Sequence, residues 1–334
     1  MTMNQGALLD IRNLRTVFRL RGGEVPAVDG IDLSVGAAEI VGLVGESGSG
    51  KSVTSLSVMR LVASPGRIDH GEILFDGKDL TRLPDTDMLS IRGKAISMIF
   101  QEPMTSLNPV YRVGKQVSEA LLIHGNAANR AEARRKTIEM FTLVGIPEPE
   151  SRYDVYPHQL SGGLRQRVMI AMALVCKPRL IIADEPTTAL DVTIEAQILK
   201  LMKDLRTEVD TSILLISHNL GVIAEICDRV YVMYAGRIME HADVYELFDH
   251  PLHPYTNGLL RSMPRRDIET SGTRLYSIPG NIPNVAEIPA GCRFAPRCGE
   301  CFELCRTKEP ELIEVAPGHS VRCWKYARSG ENDA

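Results

Sequence analysis

The chain has 334 residues, enough for two domains, and its 44% apolar and 24% charged residues are the balance of a globular protein. A formal net charge of −4, with no basic stripe, speaks against a nucleic-acid partner. The longest unbroken apolar run, Val168–Cys176, stops at Lys177 and is too short to span a bilayer. The opening MTMNQGALLDIRNL has no cationic flank leading into an apolar segment, so no secretory signal is expected. These features predict a cytosolic protein that only other subunits could hold at a membrane.

In chain order, residues 1–245 alternate short apolar runs with helical patterns, which predicts an α/β fold with a largely parallel sheet. Glu39–Gly45 (EIVGLVG) reads as a buried strand entering a glycine-rich turn. Gly71–Gly77 (GEILFDG) alternates as a half-buried strand and predicts an antiparallel portion. Further strand candidates are Ile96–Phe100, Leu180–Ala183, Ile213–Ser217 and Val230–Tyr234. Between Val113 and Gly145 the pattern is helical, with charges at Arg130–Lys136, and it marks a helical insertion over about 106–160. After Glu240 the texture changes. The stretches PLHPY (251–255) and SIPGNIPNVAEIP (277–289) cannot continue a helix or a central strand. A boundary near 245 is therefore expected, with a small loop-rich module over 246–334.

The strongest local signal is Gly45-Glu46-Ser47-Gly48-Ser49-Gly50-Lys51-Ser52, which fits GxxxxGK[ST] between a strand and a helix. Glycines let backbone N–H groups turn inward around phosphate oxygens, and the following helix adds its positive end. Lys51 can then reach the β- and γ-phosphates of a nucleotide while the Ser52 hydroxyl ligates Mg²⁺. The apolar run LIIA ends in Asp184-Glu185. A carboxylate at such a strand end suits Mg²⁺, and the next one suits a general base toward water. Alone, that pair reads as a solvated strand end; beside a phosphate loop it gains chemistry. Ser161-Gly162-Gly163 opens a long apolar helix and offers a second anion-binding helix terminus.

The segment Leu160-Ser-Gly-Gly-Leu-Arg-Gln-Arg167 resembles the LSGGQ signature of ABC proteins. The order phosphate loop, Gln101, Ser-Gly-Gly, Asp184-Glu185, Ala189-Leu-Asp191, His218 is similar to an ABC nucleotide-binding domain over about residues 8–245. One departure is Leu164, where the consensus has Gln; Gln166 follows two positions later. The resemblance implies a RecA-like core with an antiparallel β portion and a helical subdomain, binding ATP and Mg²⁺. It makes Glu185 the catalytic base and His218 the contact to the γ-phosphate. Gln101 would sense Mg²⁺ and the lytic water, and Glu102–Pro109 would face a membrane subunit. Asp191 would organise a dimer interface, Ser161 and Gly163 would serve the nucleotide of the opposing subunit, and Phe18 would stack on adenine. A lone aromatic such as Phe18 is as often a core residue. Chromosome and repair ATPases share the signature but need a long coiled coil, and no sustained heptads fill the 108 residues between Ser52 and Ser161.

The stretches MIFQEPMTSLNP (98–109), LDVTIEAQIL (190–199), LHPYTNGL (252–259) and GCRFAPRC (291–298) resemble the ATP-binding subunits of dipeptide and oligopeptide importers. The resemblance implies a paralogous ATP-binding partner, two membrane permeases and an extracytoplasmic solute-binding protein. It also implies a place on the cytoplasmic face of the inner membrane. Relatives carry nickel, glutathione or oligosaccharides, which leaves the solute open.

Cys176 and Cys227 stand singly in apolar helical context, as small core residues do. The other five cysteines fall between 292 and 323, and four of them fit C-x5-C-x6-C-x17-C: Cys292, Cys298, Cys305 and Cys323. Four thiolates suit tetrahedral zinc or an iron–sulfur cluster, and the similar module of peptide importers implies a [4Fe–4S] cluster, with Zn²⁺ the alternative. Cys301 is the spare. On this reading the module has few apolar residues to bury, and the nucleotide site is independent of it.

Overall fold

The computed structural model describes residues 6–101, 106–187, 191–263, 276–281, 283 and 288–327. It divides into two compact units, each gathered from several stretches of chain: Met1–Leu8, Val35–Ile40 and Arg82–Leu215 form one, and Leu9–Ser34, Val41–Thr81 and Ile216–Ala334 the other.

The second unit carries most of the strands. β1 (Ala7–Leu20) and β2 (Gly23–Gly36) are neighbours in a four-stranded antiparallel sheet completed by β4 (Gly66–Phe75) and β5 (Lys78–Asp79), in the order β2-β1-β4-β5. β1 pairs with β4 from Leu9↔Phe75 to Phe18↔Gly66, with register shifts around Arg15. β3 (Ile40–Val44) is buried at every residue, as its unbroken IVGLV run requires of a strand covered on both faces. It pairs in parallel with β9 (Arg229–Tyr234), Val41 opposite Arg229. β9 turns at Ala235-Gly236 into antiparallel β10 (Arg237–Asp243). Beyond β10 lie two strands that the loop-rich expectation did not contain. β12 (His319–Val321) pairs with β10, Glu240 opposite Val321, and β11 (Ile313–Ala316) pairs with β12. The run in this unit is β11-β12-β10-β9-β3.

The first unit holds β6 (Ile96–Ile99), β7 (Leu180–Asp184) and most of β8 (Ser212–Ser217), in the order β8-β7-β6. β6 and β7 are parallel, with Ile96 opposite Leu180. The helical pattern after Val113 is realised as helices Val113–Ile123 and Arg130–Leu143, which pack on each other and on the helix Gly162–Leu174. Asn129 caps the second by accepting the Glu132 N–H, which satisfies one of the free amides of its first turn. Ser118 ties the bundle from inside, its hydroxyl 2.9 Å from both the Thr137 and Tyr153 hydroxyls. Among the described residues no helix is long and apolar enough to cross a membrane.

The C-terminal segment has a core of its own. Tyr234 from β9, Tyr255 from the PLHPY stretch and Phe294 from the cysteine stretch meet with ring centroids 4.7–5.3 Å apart. His253 joins them at 5.8 Å from Phe294. Tyr234 and Tyr255 are fully buried, and each such ring contributes about 1.5–3 kcal/mol by leaving water. The expectation of a module with little to bury therefore fails: aromatic residues far apart in sequence supply the core that aliphatic runs do not.

Candidate functional site

The phosphate loop leaves β3 at Gly45 and ends at the helix Lys51–Val58. Two of its glycines are obligatory. Gly45 has φ +155°, and a Cβ there would lie 2.1 Å from the Met233 carbonyl oxygen; Gly50 has φ +109°, with the Ala27 carbonyl oxygen 2.4 Å from the same point. The loop closes through the Ser49 N–H donating to the Glu46 carbonyl at 3.2 Å, and the Gly236 N–H donates to the Ser49 carbonyl at 2.8 Å. Lys51, 5% exposed, turns its Nζ back onto the carbonyls of Gly45 and Glu46 at 2.8 and 2.9 Å. Ser47, Gly48 and Ser52 are exposed, and the Ser49 hydroxyl is buried without a hydrogen-bond partner. An ammonium, an orphan hydroxyl and the N-terminal end of a helix around one glycine-shaped loop fit a polyphosphate. Phe18 is half-buried on β1 opposite Gly66, with its ring where a Gly66 side chain would stand. His218 is exposed just past β8, ahead of the helix Leu220–Ile226 that Asn219 caps.

In the first unit, β7 ends in Asp184, 5% exposed, followed by Glu185 in the left-handed region at φ +48°. A side chain there strains the backbone, and such strain persists only where neighbours hold it. Two neighbours do. The Gln101 amide donates to Glu185 Oε2 at 2.9 Å, and the buried Gln166 amide donates to the Pro186 carbonyl. The Gln166 displaced from the signature consensus is thus a brace for the residue after Glu185. Ser161 caps the helix Gly162–Leu174 by accepting the Leu164 N–H at 3.4 Å. Gly163 permits close approach of Ile194, 3.0 Å from where a Cβ would be, while Gly162 faces open space. Asp191 caps the helix Val192–Val209 through the Ile194 N–H at 2.9 Å. Ala189, Leu190 and Glu102–Thr105 lie outside the described residues.

Sequence reasoning missed two residues that touch the phosphate loop. The Tyr255 hydroxyl accepts the Glu46 N–H at 2.9 Å. Arg297 forks onto the Glu46 carboxylate, Nη1 to Oε2 at 2.6 Å and Nη2 to Oε1 at 3.0 Å, and its side chain is only 4% exposed. That hydrogen-bonded pair raises the Arg297 guanidinium above its ordinary value, so it stays charged. The independence expected between nucleotide loop and C-terminal module is therefore overturned: Arg297 adjoins Cys298. A second arginine of the same stretch, Arg293, pairs with Asp29 and donates to the Ala235 carbonyl. The arginines stand between the cysteines of GCRFAPRC, but their partners lie 264 and 251 positions away and leave no local pattern.

Cys292, Cys298, Cys305 and Cys323 line one small cavity, together with His253, Phe294 and Trp324; Cys301 is not part of its lining. The structure does not draw them into a ligand set: among the described residues no group of three or more His, Cys, Asp or Glu is arranged to hold a metal ion. Burial, helped by the neighbouring thiols, pushes Cys292 up to about 12 and Cys298 to about 11.

The sequence model of the ABC transporter family matches residues 28–188, and that of the oligopeptide/dipeptide transporter C-terminal region matches 239–305. The oligopeptide transport ATP-binding protein AppD of Bacillus subtilis is 52% identical over 324 residues, covering 97% of this chain and 98% of its own. This chain belongs to the ATP-binding subunits of oligopeptide/dipeptide ABC transporters. The oligopeptide transport ATP-binding protein OppD of Escherichia coli is 49% identical over 319 residues, 96% of this chain and 93% of its own. Among solved structures, the dimeric bacterial ABC transporter cassette MJ0796 aligns at TM-score 0.64 and 27% identity, covering 71% of this chain and 98% of that one. The cbiO1 protein of Clostridium perfringens, part of the ABC transporter complex cbiONQ, aligns at TM-score 0.63 and 26% identity over 73% of this chain and 92% of its own. As a member of the ABC family the chain has the cassette fold, and its activity is ATP hydrolysis coupled to peptide transport.

Proposed function

We propose that the chain powers peptide import by hydrolysing ATP with the following division of roles. The loop 45–52 wraps the phosphates, with Lys51 on the β- and γ-phosphates and Ser52, Gln101 and Asp184 as Mg²⁺ ligands; the cation neutralises phosphate charge when bound. Glu185 takes the proton of the attacking water, and Gln101 orients both. His218 contacts the γ-phosphate, Phe18 stacks on adenine, and Ser161, Gly162, Gly163 and Asp191 complete the site of an opposing subunit. The observation that carries this reading is the 2.9 Å bond from Gln101 to Glu185, which joins two residues 84 positions apart to which the family resemblance gives the same water. The test is ATP turnover by the full chain carrying Glu185→Gln. Nucleotide binding persists while hydrolysis falls by about a hundredfold or more; wild-type turnover would sink the general-base role.

The assembly proposed is a paralogous ATP-binding subunit, two membrane permeases and an extracytoplasmic solute-binding protein, with this chain on the cytoplasmic face. Support comes from the transporter family and from the dimeric state of the MJ0796 cassette. The organisation proposed is an ATP-binding domain over 1–245, with a helical insertion at about 106–160, and an extension over 246–334. We also propose that Cys292, Cys298, Cys305 and Cys323 ligate one structural [4Fe–4S] cluster, with Zn²⁺ as the other metal suited to four thiolates. Their shared cavity supports this, although among the described residues no group of three or more ligands is arranged for a metal ion, and binding one would release the thiol protons. Metal analysis of anaerobically purified chain decides it: about four irons per chain for the cluster, and metal-free protein with an ordered C-terminus against it.

A further inference from the structure

We propose that Arg297 and Tyr255 are positioning residues for the phosphate loop, so that the C-terminal extension sets the affinity of this chain for nucleotide phosphates. The inference rests on the reading of residues 45–52 as the phosphate loop. Glu46 is the one acidic residue of that loop, placed where a polyphosphate must come. An unpaired carboxylate there would repel the ligand. All three polar groups of Glu46 are engaged: its N–H donates to Tyr255, its carboxylate takes the Arg297 fork, and its carbonyl receives Lys51 Nζ at 2.9 Å. A displacement of Glu46 therefore moves a support on which the Lys51 ammonium rests.

Both supports are themselves fixed from the extension. Arg297 Nε donates to the Pro279 carbonyl at 2.9 Å and Nη2 to the Ile278 carbonyl at 3.3 Å, which aims the planar fork at Glu46. Tyr255 is set by the buried Glu240 carboxylate, which accepts the N–H groups of Leu252 at 2.7 Å and His253 at 2.9 Å. His253 Nδ1 then accepts the Tyr255 N–H at 3.0 Å. Burial pushes the Tyr255 phenol up, so it remains protonated and shares the loop edge without adding charge. The same residues pack the extension, Tyr255 and His253 against Phe294 and Glu240 against His319, so the support of Glu46 is built into that core.

The test is equilibrium binding of MgATP, MgADP and adenosine to the full chain, as wild type, Arg297→Ala, Tyr255→Phe and the double variant Arg297→Ala/Glu46→Gln. Arg297→Ala should weaken MgATP about tenfold, MgADP less and adenosine not at all, because the exposed carboxylate acts on phosphate charge. Glu46→Gln in the same chain should restore MgATP binding to within about threefold of wild type. Tyr255→Phe should weaken MgATP by about three- to fivefold. Failure of the wild type to bind MgATP would strike the nucleotide-site reading instead. A folded Arg297→Ala chain with wild-type MgATP affinity would overturn the proposal, as would an equal loss for adenosine or no rescue by Glu46→Gln. Should Arg297→Ala not fold, Arg297→Lys keeps the charge and loses the fork. A smaller loss in the same ligand order supports the proposal, and no loss overturns it.

Discussion

The phosphate loop and the Glu185 turn both carry positive-φ backbone at the ends of buried strands, taken by glycines in the loop and by a glutamate in the turn, and they are held in different ways. The loop is braced from far along the chain, by Tyr255 and Arg297, 209 and 251 positions after Glu46. Glu185 is braced by residues of its own compact unit, Gln101 and Gln166. The loop's support comes from the C-terminal extension and is partly ionic, the Arg297 fork beside the neutral Tyr255 hydroxyl; the Glu185 support is made of neutral amides. On the proposed roles, phosphate affinity and water activation would be separately adjustable, one from the extension and the other from the unit that carries the signature helix.

The largest break in this comparison is Lys51→Ala, which removes the ammonium resting on Gly45 and Glu46 and should weaken MgATP binding by about a hundredfold, read by titration. Next is Gln166→Leu, which strips the buried Pro186 carbonyl of its donor. It should cost about 1–3 kcal/mol in denaturant unfolding and lower turnover severalfold, with MgATP affinity unchanged. Affinity falling in step with turnover would erase the separation.

How far these features were legible in sequence follows the same division. The glycines and Lys51 were readable because phosphate chemistry forces specific residues into eight consecutive positions. Asp184-Glu185 was readable because an apolar strand must end where charge begins. β1 was not readable as a strand: its period-2 pattern breaks at the register shifts beside Asn13, itself at φ +45°, and Arg15. β12 was missed because three residues are too few to show a period. Arg297 and Tyr255 were missed because their partner, Glu46, is local to nothing near them. A charge-pair across 251 positions leaves no trace in spacing.

Smaller effects sharpen the picture of the extension. Burial would raise the Asp29 carboxyl, but Arg237, Arg293 and Arg15 more than offset it and hold it below its ordinary 3.8. A lowered folded value means the contribution is present above about pH 4 and is lost as pH falls through the folded value. Asp29→Asn should therefore lower the melting temperature at pH 7 and narrow its gap to wild type below pH 4, measured by thermal melts across that range. The smallest effect expected is that of Cys301→Ser. Cys301 is not among the residues that line the four-cysteine cavity, so metal content and melting temperature should stay at wild-type levels; a loss of bound metal would place Cys301 in the ligand set.

The most direct test of the division is to measure MgATP affinity and the single-turnover hydrolysis rate at saturating MgATP on the same preparations of Glu185→Gln and Arg297→Ala. The account predicts a crossed result: Glu185→Gln keeps affinity and loses the chemical step, whereas Arg297→Ala loses affinity and keeps the single-turnover rate near wild type. If both substitutions move the same parameter, the phosphate loop and the Glu185 turn are not separately held, and the account is contradicted.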